Sequence, residues 1–409
     1  MRPWFLLGAL PAAAGTVQAS GFHTAEFHTA YVGQATAGVT LTENAGVVAQ
    51  LPAGMVRLDE GNHALGGFNQ YVPKFDYTAT NSGETGSTTT DPITGPFAYA
   101  VHNAGKWAAG AGLYFPFNVV IQYPDNWAGR SILTKEEVNV GYFALTGAYA
   151  LNDDLSFGLA VNFIGSRVRL QQTQVVAPGT EVPTTLGGTT ENLGGQFSLL
   201  YDQEHWRLAL AHSPKYTISG EGNAQFDTSA NPSLTSTFPD GGVKVTLLMP
   251  SVTELGVAWK DQRKDPDNSV ELGILRTGWS NFSEIHIQFT SGKPQPDVVL
   301  PRRWKDTTGV KVGGYHVLSR SGTVSHRIRA GVYVDQSPIP ADTLEPGVPD
   351  GAGRNEFAVG YGYRSGNLSA EAAVFQINFK DSQTGGDNPF PAKYGGAVTI
   401  YSFDLGYKF

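Results

Sequence analysis

From residue 56 onward the chain is written largely with a period of two. In the last segment Tyr401, Phe403, Leu405, Tyr407 and Phe409 are apolar or aromatic, while Ser402, Asp404, Gly406 and Lys408 fall between them. Successive side chains of a strand point to opposite faces, so this alternation predicts a strand with one apolar and one polar face. Phe157, Leu159, Val161 and Phe163 repeat it, as do Ile328, Ala330, Val332 and Val334, which leave Arg327, Arg329, Tyr333 and Asp335 on the other face. In the ninth segment the parity changes. Val270, Leu272 and Ile274 are apolar at even positions, Ile285, Ile287 and Phe289 at odd ones. A bulge near residues 277–283 is expected to turn that strand over.

Two kinds of connector separate the segments, and they alternate. Long stretches rich in Gly, Pro, Ser, Thr, Asp and Asn lie near 81–95, 121–136, 177–192, 220–242, 291–303, 337–354 and 381–396. Short ones lie near 103–106, 151–155, 202–206, 261–268, 319–323 and 364–367. Fourteen segments with long loops on one side and tight turns on the other predict an all-β fold, a transmembrane antiparallel up-and-down β-barrel with both chain ends facing the periplasm. A soluble β-sandwich would alternate too, its charged face simply solvated. The terminal aromatic residue, the loop asymmetry and the N-terminus favour the membrane.

That N-terminus breaks the period twice. Residues 1–19 carry one cation, Arg2, then an apolar run from Trp4 to Ala14, then Val17-Gln18-Ala19 as a small-residue cleavage site. This reads as a signal peptide cut after Ala19 or Ser20; a buried first strand or helix is the alternative, but Pro11 and Gly15 break the run where a leader ends. Residues 20–55 have neither strand alternation nor a helical stripe. They are expected to form a plug inside a barrel built from 56–409.

Composition narrows the function. Charged residues make up 16% and the net charge is −8, with no basic stripe, so nucleic acid is not an expected partner. No run reaches the 18 apolar residues of a membrane helix, which leaves a closed barrel as the way to span lipid. The absence of Cys excludes disulfides and thiolate metal or redox sites. His23 and His28 lack metal-ligand spacing, and neither a metal nor a cofactor is expected. The hydrolase, metalloprotease and phosphate-loop motifs GxSxG, HExxH and GxxxxGK[ST] are missing, so an enzyme is not expected. Gly360-x-Gly362 sits in a short strand with no following helix and reads as room for neighbouring side chains in a barrel wall.

SGFHTAEF (20–27), VGQATAG (32–38) and QLPAGM (50–55), in that order after a leader, resemble the N-terminal hatch of the FadL family of outer-membrane transporters for long-chain fatty acids and hydrocarbons. RRWKDTTGVKVGGY (302–315), RIRAGVYVDQSPIP (327–340) and EFAVGYGY (356–363) resemble that family's tenth to twelfth strands and their connectors. The similarity covers essentially the whole mature chain. It departs at Leu51-Pro52-Ala53, where the family usually has Asn-Pro-Ala: Leu51 cannot make the local hydrogen bond expected of Asn, although Pro52 can still set the turn.

The resemblance implies an outer-membrane protein that passes hydrophobic molecules passively. Extracellular loops capture the ligand, a lumenal pocket holds it, and the hatch with an inward kink in the third strand opens a lateral route to the outer leaflet. Phe22 corresponds to the family's Phe beside the kink, flanked by Glu26 and Phe27. In the third strand, Gly105, Gly110, Gly112 and Pro116 give independent reasons for weak pairing; that the small residues accommodate the hatch is the compatible alternative. A cation facing a ligand carboxylate would come from Arg167, Arg169, Arg302, Arg303 or Lys305. The register of Phe157–Phe163 points Arg167 and Arg169 outward toward lipopolysaccharide unless a bulge at Gly165-Ser166 turns them in, and the 302–305 cluster also reads as a solvated loop edge. Expected partners are the hydrophobic ligand, membrane lipid and lipopolysaccharide, and the barrel is expected to be a monomer. The rivals are a water-filled porin or adhesin and, without an assembled nucleophile and base, an outer-membrane lipase or protease. Chain length and the choice between aromatic and aliphatic cargo are not written in these residues.

Overall fold

The computed structural model describes residues 21–290 and 297–409. The expected leader with its cleavage site, and part of the expected 291–303 loop, lie outside them. The chain closes into a ring of fourteen antiparallel strands. These are β1 (Gly61–Ala79), β2 (Ile93–Asn103), β3 (Trp107–Gln122), β4 (Lys135–Ala150), β5 (Leu155–Ala177), β6 (Thr180–Asp202), β7 (Trp206–Ser213 continued by Tyr216–Phe226), β8 (Gly241–Met249 continued by Val252–Lys260), β9 (Asn268–Thr277 continued by Glu284–Phe289), β10 (Val298–Pro301 continued by Thr307–Ser321), β11 (Val324–Asp335), β12 (Arg354–Ser365), β13 (Leu368–Gln383) and β14 (Ala392–Lys408). Pairing of β1 with β14, from His63↔Lys408 to Ala79↔Ala392, shuts the ring. Among the described residues no helix is long and apolar enough to cross a membrane.

The dyad pattern maps onto the wall as expected. Tyr401, Phe403, Leu405 and Tyr407 point outward, while Ser402 and Asp404 are buried inside. Ile328 and Val332 are exposed, and Arg329, Tyr333 and Asp335 are buried on the lumen face. An apolar exterior around a polar interior is what a barrel in lipid requires.

Two expectations are corrected. Residues 177–192 are not a long loop. β5 and β6 stay paired up to Ala177↔Thr180 and turn tightly there, making a tall hairpin whose Thr- and Gly-rich sequence reads as loop because it is polar on both faces. The ninth strand does break at the expected place, around a short turn of 3₁₀ helix, Trp279–Asn281, but it does not turn over. Glu271 and Leu275 before the break and Ile285 and Ile287 after it all point inward at odd positions. What changes is the chemistry of the lumen, polar toward the short turns and apolar toward the long loops.

Residues 21–58 run inside the ring as two single-turn helices, α1 (Thr29–Val32) and α2 (Val47–Gln50), a 3₁₀ turn Pro52–Arg57, and irregular backbone. Helices this short supply little stability of their own. Bonds to the wall hold the segment instead, and they reach strands on every side of the ring. Thr29 N donates to Asp404 of β14 (2.9 Å), Tyr31 Oη to Glu254 of β8 (2.8 Å), Ala53 N to Ser198 of β6 (2.8 Å), and Thr40 N to Glu271 of β9 (3.2 Å). Glu43 takes Arg327 and Arg329 of β11 at 2.5 and 2.7 Å, and Arg329 also pairs with Glu371 of β13 at 2.8 Å.

Candidate functional site

The wall is interrupted beside β3, as it also is between residues 190–196 of β6 and 213–220 of β7, which no ladder joins. β2 and β3 pair from Asn103↔Ala108 to Ala98↔Leu113 and then separate. Ile93–Phe97 keep their partners in β1 and Phe117–Gln122 theirs in β4, but no ladder joins 93–97 to 114–121. Above the gap the strands meet again, where Thr89 N donates to Gln122 O (2.7 Å) and Gln122 N to the Thr90 hydroxyl (2.9 Å). The cause is local. Between Tyr114↔Tyr142 and Phe117↔Val140 the β3 strand holds one residue too many, a bulge at Phe115-Pro116. Pro116 cannot donate to a ladder, and Pro96 sits on the facing open edge, where a missing donor costs least.

Freed backbone groups need partners, and the first residues of the lumenal segment provide them. Thr24 N donates to Pro116 O (2.9 Å), the Thr24 hydroxyl to Phe115 O (2.8 Å) and Asn118 N to Phe22 O (3.2 Å), with His23 and Phe117 forming a one-residue antiparallel bridge. β3 therefore exchanges β2 for residues 22–24 as its neighbour.

Phe22 is gripped by rings from broken strands. The interruptions of β7 at Pro214, β8 at Pro250, β9 at 278–283 and β10 at 302–306 lie on neighbouring strands. The last two release Trp279, Phe282 and Trp304 into the lumen. Their centroids lie 4.9, 5.6 and 5.8 Å from that of Phe22, and Phe117 completes the cage at 6.0 Å. Two apolar cavities meet at this ring. A lateral cavity of ≈190 Å³ lies behind the gap, lined by Phe22, Ile93, Pro96, Phe97, Phe115, Val119, Ile121, Phe379 and others. An upper cavity of ≈60 Å³ lies toward the long loops, lined by Phe22, Val168, Leu170, Leu186, Ile218, Leu247, Phe282 and Ile285.

Polar groups rim the lateral cavity. Glu26 O accepts from Asn69 (2.6 Å), its carboxylate takes Tyr71 Oη at 3.5 Å, and burial raises that carboxyl above its usual range. Asp350 accepts from Gly21 N (3.2 Å); burial lifts it to about 7 against the pull of Arg354. Burial, reinforced by Lys311 and Arg354, drops His23 to about 3, so its ring is neutral. Phe27 stacks on Tyr31 and meets Tyr114 edge-on, and its carbonyl accepts from Tyr99 Oη at 2.7 Å.

The structure sorts the sequence-derived candidates. Phe22, Glu26, Phe27 and Pro116 come together at the gap. Gly110 and Gly112 do not: both lie in the paired part of β3, where an added Cβ would strike Val48 of α2 (2.8 and 2.9 Å), so they make room for the lumenal segment. Gly105 (φ +83°) serves the β2–β3 turn. Leu51 is fully buried against Val39, Ala53, Leu200, Ala209 and Ala211, a hydrophobic anchor where the family has a hydrogen-bonding side chain. Pro52 starts the 3₁₀ turn. No bulge forms at Gly165-Ser166, and Arg167 and Arg169 stay on the outward register. Arg302 is buried but paired with Glu345 (2.7 Å), Arg303 is exposed and paired with Asp342 (2.5 Å), and Lys305 is exposed.

The cation that does line the lateral cavity is Arg354, at the start of β12, its Nε 2.6 Å from Glu356. Nothing in its local sequence marks it. Pro96 was readable, as a proline inside an alternating run.

A family model described as outer membrane protein transport protein (OMPP1/FadL/TodX) matches residues 10–409. The long-chain fatty acid transport protein of Escherichia coli (strain K12) is 23% identical over 379 residues, covering 81% of each chain. The 47 kDa outer membrane protein of Pasteurella multocida is 25% identical over 434 residues, 99% of this chain and 97% of that one. Among solved structures, a Pseudomonas aeruginosa FadL homologue superimposes with a TM-score of 0.80 at 18% identity, covering 95% of this chain and 100% of that one. The P. putida toluene transporter TodX follows at 0.71 and 16%, covering 96% and 99%. At these identities the structures speak for the fold.

Proposed function

The chain belongs to the outer-membrane transport family OMPP1/FadL/TodX, and we propose that it passes small hydrophobic molecules, fatty acids or hydrocarbons, from the long-loop side into the lipid through the gap beside β3. Residues 21–57 act in this reading as a hatch. The body of the hatch is fixed: breaking a buried ion pair such as Glu43 with Arg329 costs about 3–5 kcal/mol. Residues 21–27 are held mainly by hydrogen bonds between neutral groups, worth about 0.5–1.5 kcal/mol each, and by the Phe22 cage. The door is therefore the first seven described residues, and the rest of the hatch is its frame.

The observation that carries the reading is the position of Phe22, which lines both the upper and the lateral cavity. A ligand descending from one must displace it to reach the other, and the lateral cavity then leads to a hole in the wall that faces lipid. Arg167 and Arg169 have a different role here, as outward cations toward lipopolysaccharide phosphates. Deleting Gly21–Phe27 tests the door. The barrel should still fold and insert, because its ladders do not involve these residues, and uptake of a hydrophobic substrate should change; unaltered uptake would remove the gate.

A further inference from the structure

We infer that the route excludes ionised head groups, so that the cargo is an uncharged hydrophobe; this rests on the transport reading above. Among the described residues, the cations along the path already lie against carboxylates. Arg354, the one Lys or Arg lining the lateral cavity, lies against Glu356, and Glu26, Asp335 and Asp350 are all within its electrostatic reach. Among the described residues the upper cavity is lined by two acidic side chains, Glu136 and Glu221, and by no Lys, Arg or His. Arg302, which acts on Glu136, is spent on Glu345.

An ionised carboxylate moved into an apolar space needs a partner. To reach Arg354 it must share one guanidinium with Glu356, in a buried cluster that already holds Glu26, Asp335 and Asp350. Settling elsewhere puts it beside Glu26 and Asp350. A neutral molecule meets neither obstacle. Size points the same way, since ≈190 Å³ exceeds the roughly 150 Å³ of an apolar cavity that accepts benzene and falls below the roughly 300 Å³ at which sites for drug-sized ligands begin. One aromatic ring or a short alkyl segment fills it.

The test is equilibrium binding by the full chain in lipid nanodiscs at about pH 8, where carboxylic acids are ionised, using ethylbenzene, phenylacetate, dodecanol and dodecanoate. The inference expects each neutral compound to bind at least about tenfold more tightly than its charged counterpart. In the double variant Glu26→Gln/Asp350→Asn, the affinity ratio of dodecanoate to dodecanol should rise by about tenfold. Dodecanoate binding as tightly as dodecanol in the unaltered protein would overturn the inference and leave the transport reading standing. Binding of none of the four would overturn both.

Discussion

Leu51 shows how a single departure from a family pattern can be absorbed. The side chain exchanges a local hydrogen bond for burial against Leu200, Ala209 and Ala211, and the wall opposite is small and apolar to match. Restoring the family residue should therefore be harmful here. Leu51→Asn would bury an amide without a designed partner, at about 1–3 kcal/mol, and limited proteolysis should cut the hatch faster than in the unaltered protein. Glu43 is the electrostatic counterpart. Burial alone would raise its carboxyl, yet Arg327 and Arg329 hold it at about 2. Because the folded value is depressed, the stabilisation is fully present above the ordinary carboxylate range and is lost progressively as pH falls from that range through about 2. Glu43→Gln should therefore lower the amide protection of residues 40–58 at about pH 6, and the difference from the unaltered protein should shrink as pH falls below about 4. At this scale the sequence was partly legible. Phe22 and Pro116 were marked by resemblance and by backbone chemistry. Arg354 was not, because what distinguishes it is the cavity that the lumenal segment, the 347–350 loop and several strands bring around it.

At the scale of elements the period of two located every strand of the ring, since alternation is imposed by lipid on one side and water or hatch on the other. It failed where that contrast disappears. The β5–β6 hairpin is polar on both faces and looked like loop, and the lumen of β9 turns apolar above residue 278 and imitated a change of face. The bulge in β3 lies between these cases: a proline signalled it, but the glycines upstream serve the hatch. If the bulge makes the gap, removing its extra residue should close it. Deletion of Phe115 should let β3 continue its ladder with β2 beyond Leu113, raise amide protection of 93–97, and lower uptake; unchanged protection of 93–97 would place the cause of the gap elsewhere.

For the whole molecule, the proposed function divides the lumenal segment into a frame tied by buried charges and a door tied mainly by neutral hydrogen bonds. The wall stands without either, because its ladders close on themselves from β1 to β14. The division was not legible in the sequence, where residues 20–55 look uniformly irregular; only the partners across the lumen separate Glu43 from Thr24. The chain contains no Cys, so one engineered pair can hold the door shut. His23 and Phe117 are bridge partners, and such partners bring Cα atoms to about 4.5–5.5 Å, within disulfide range. The decisive measurement is uptake of a hydrophobic substrate by cells carrying His23→Cys/Phe117→Cys, before and after reduction. The account predicts background uptake when the disulfide is formed and recovery when it is reduced. Full uptake through the oxidised protein would contradict it.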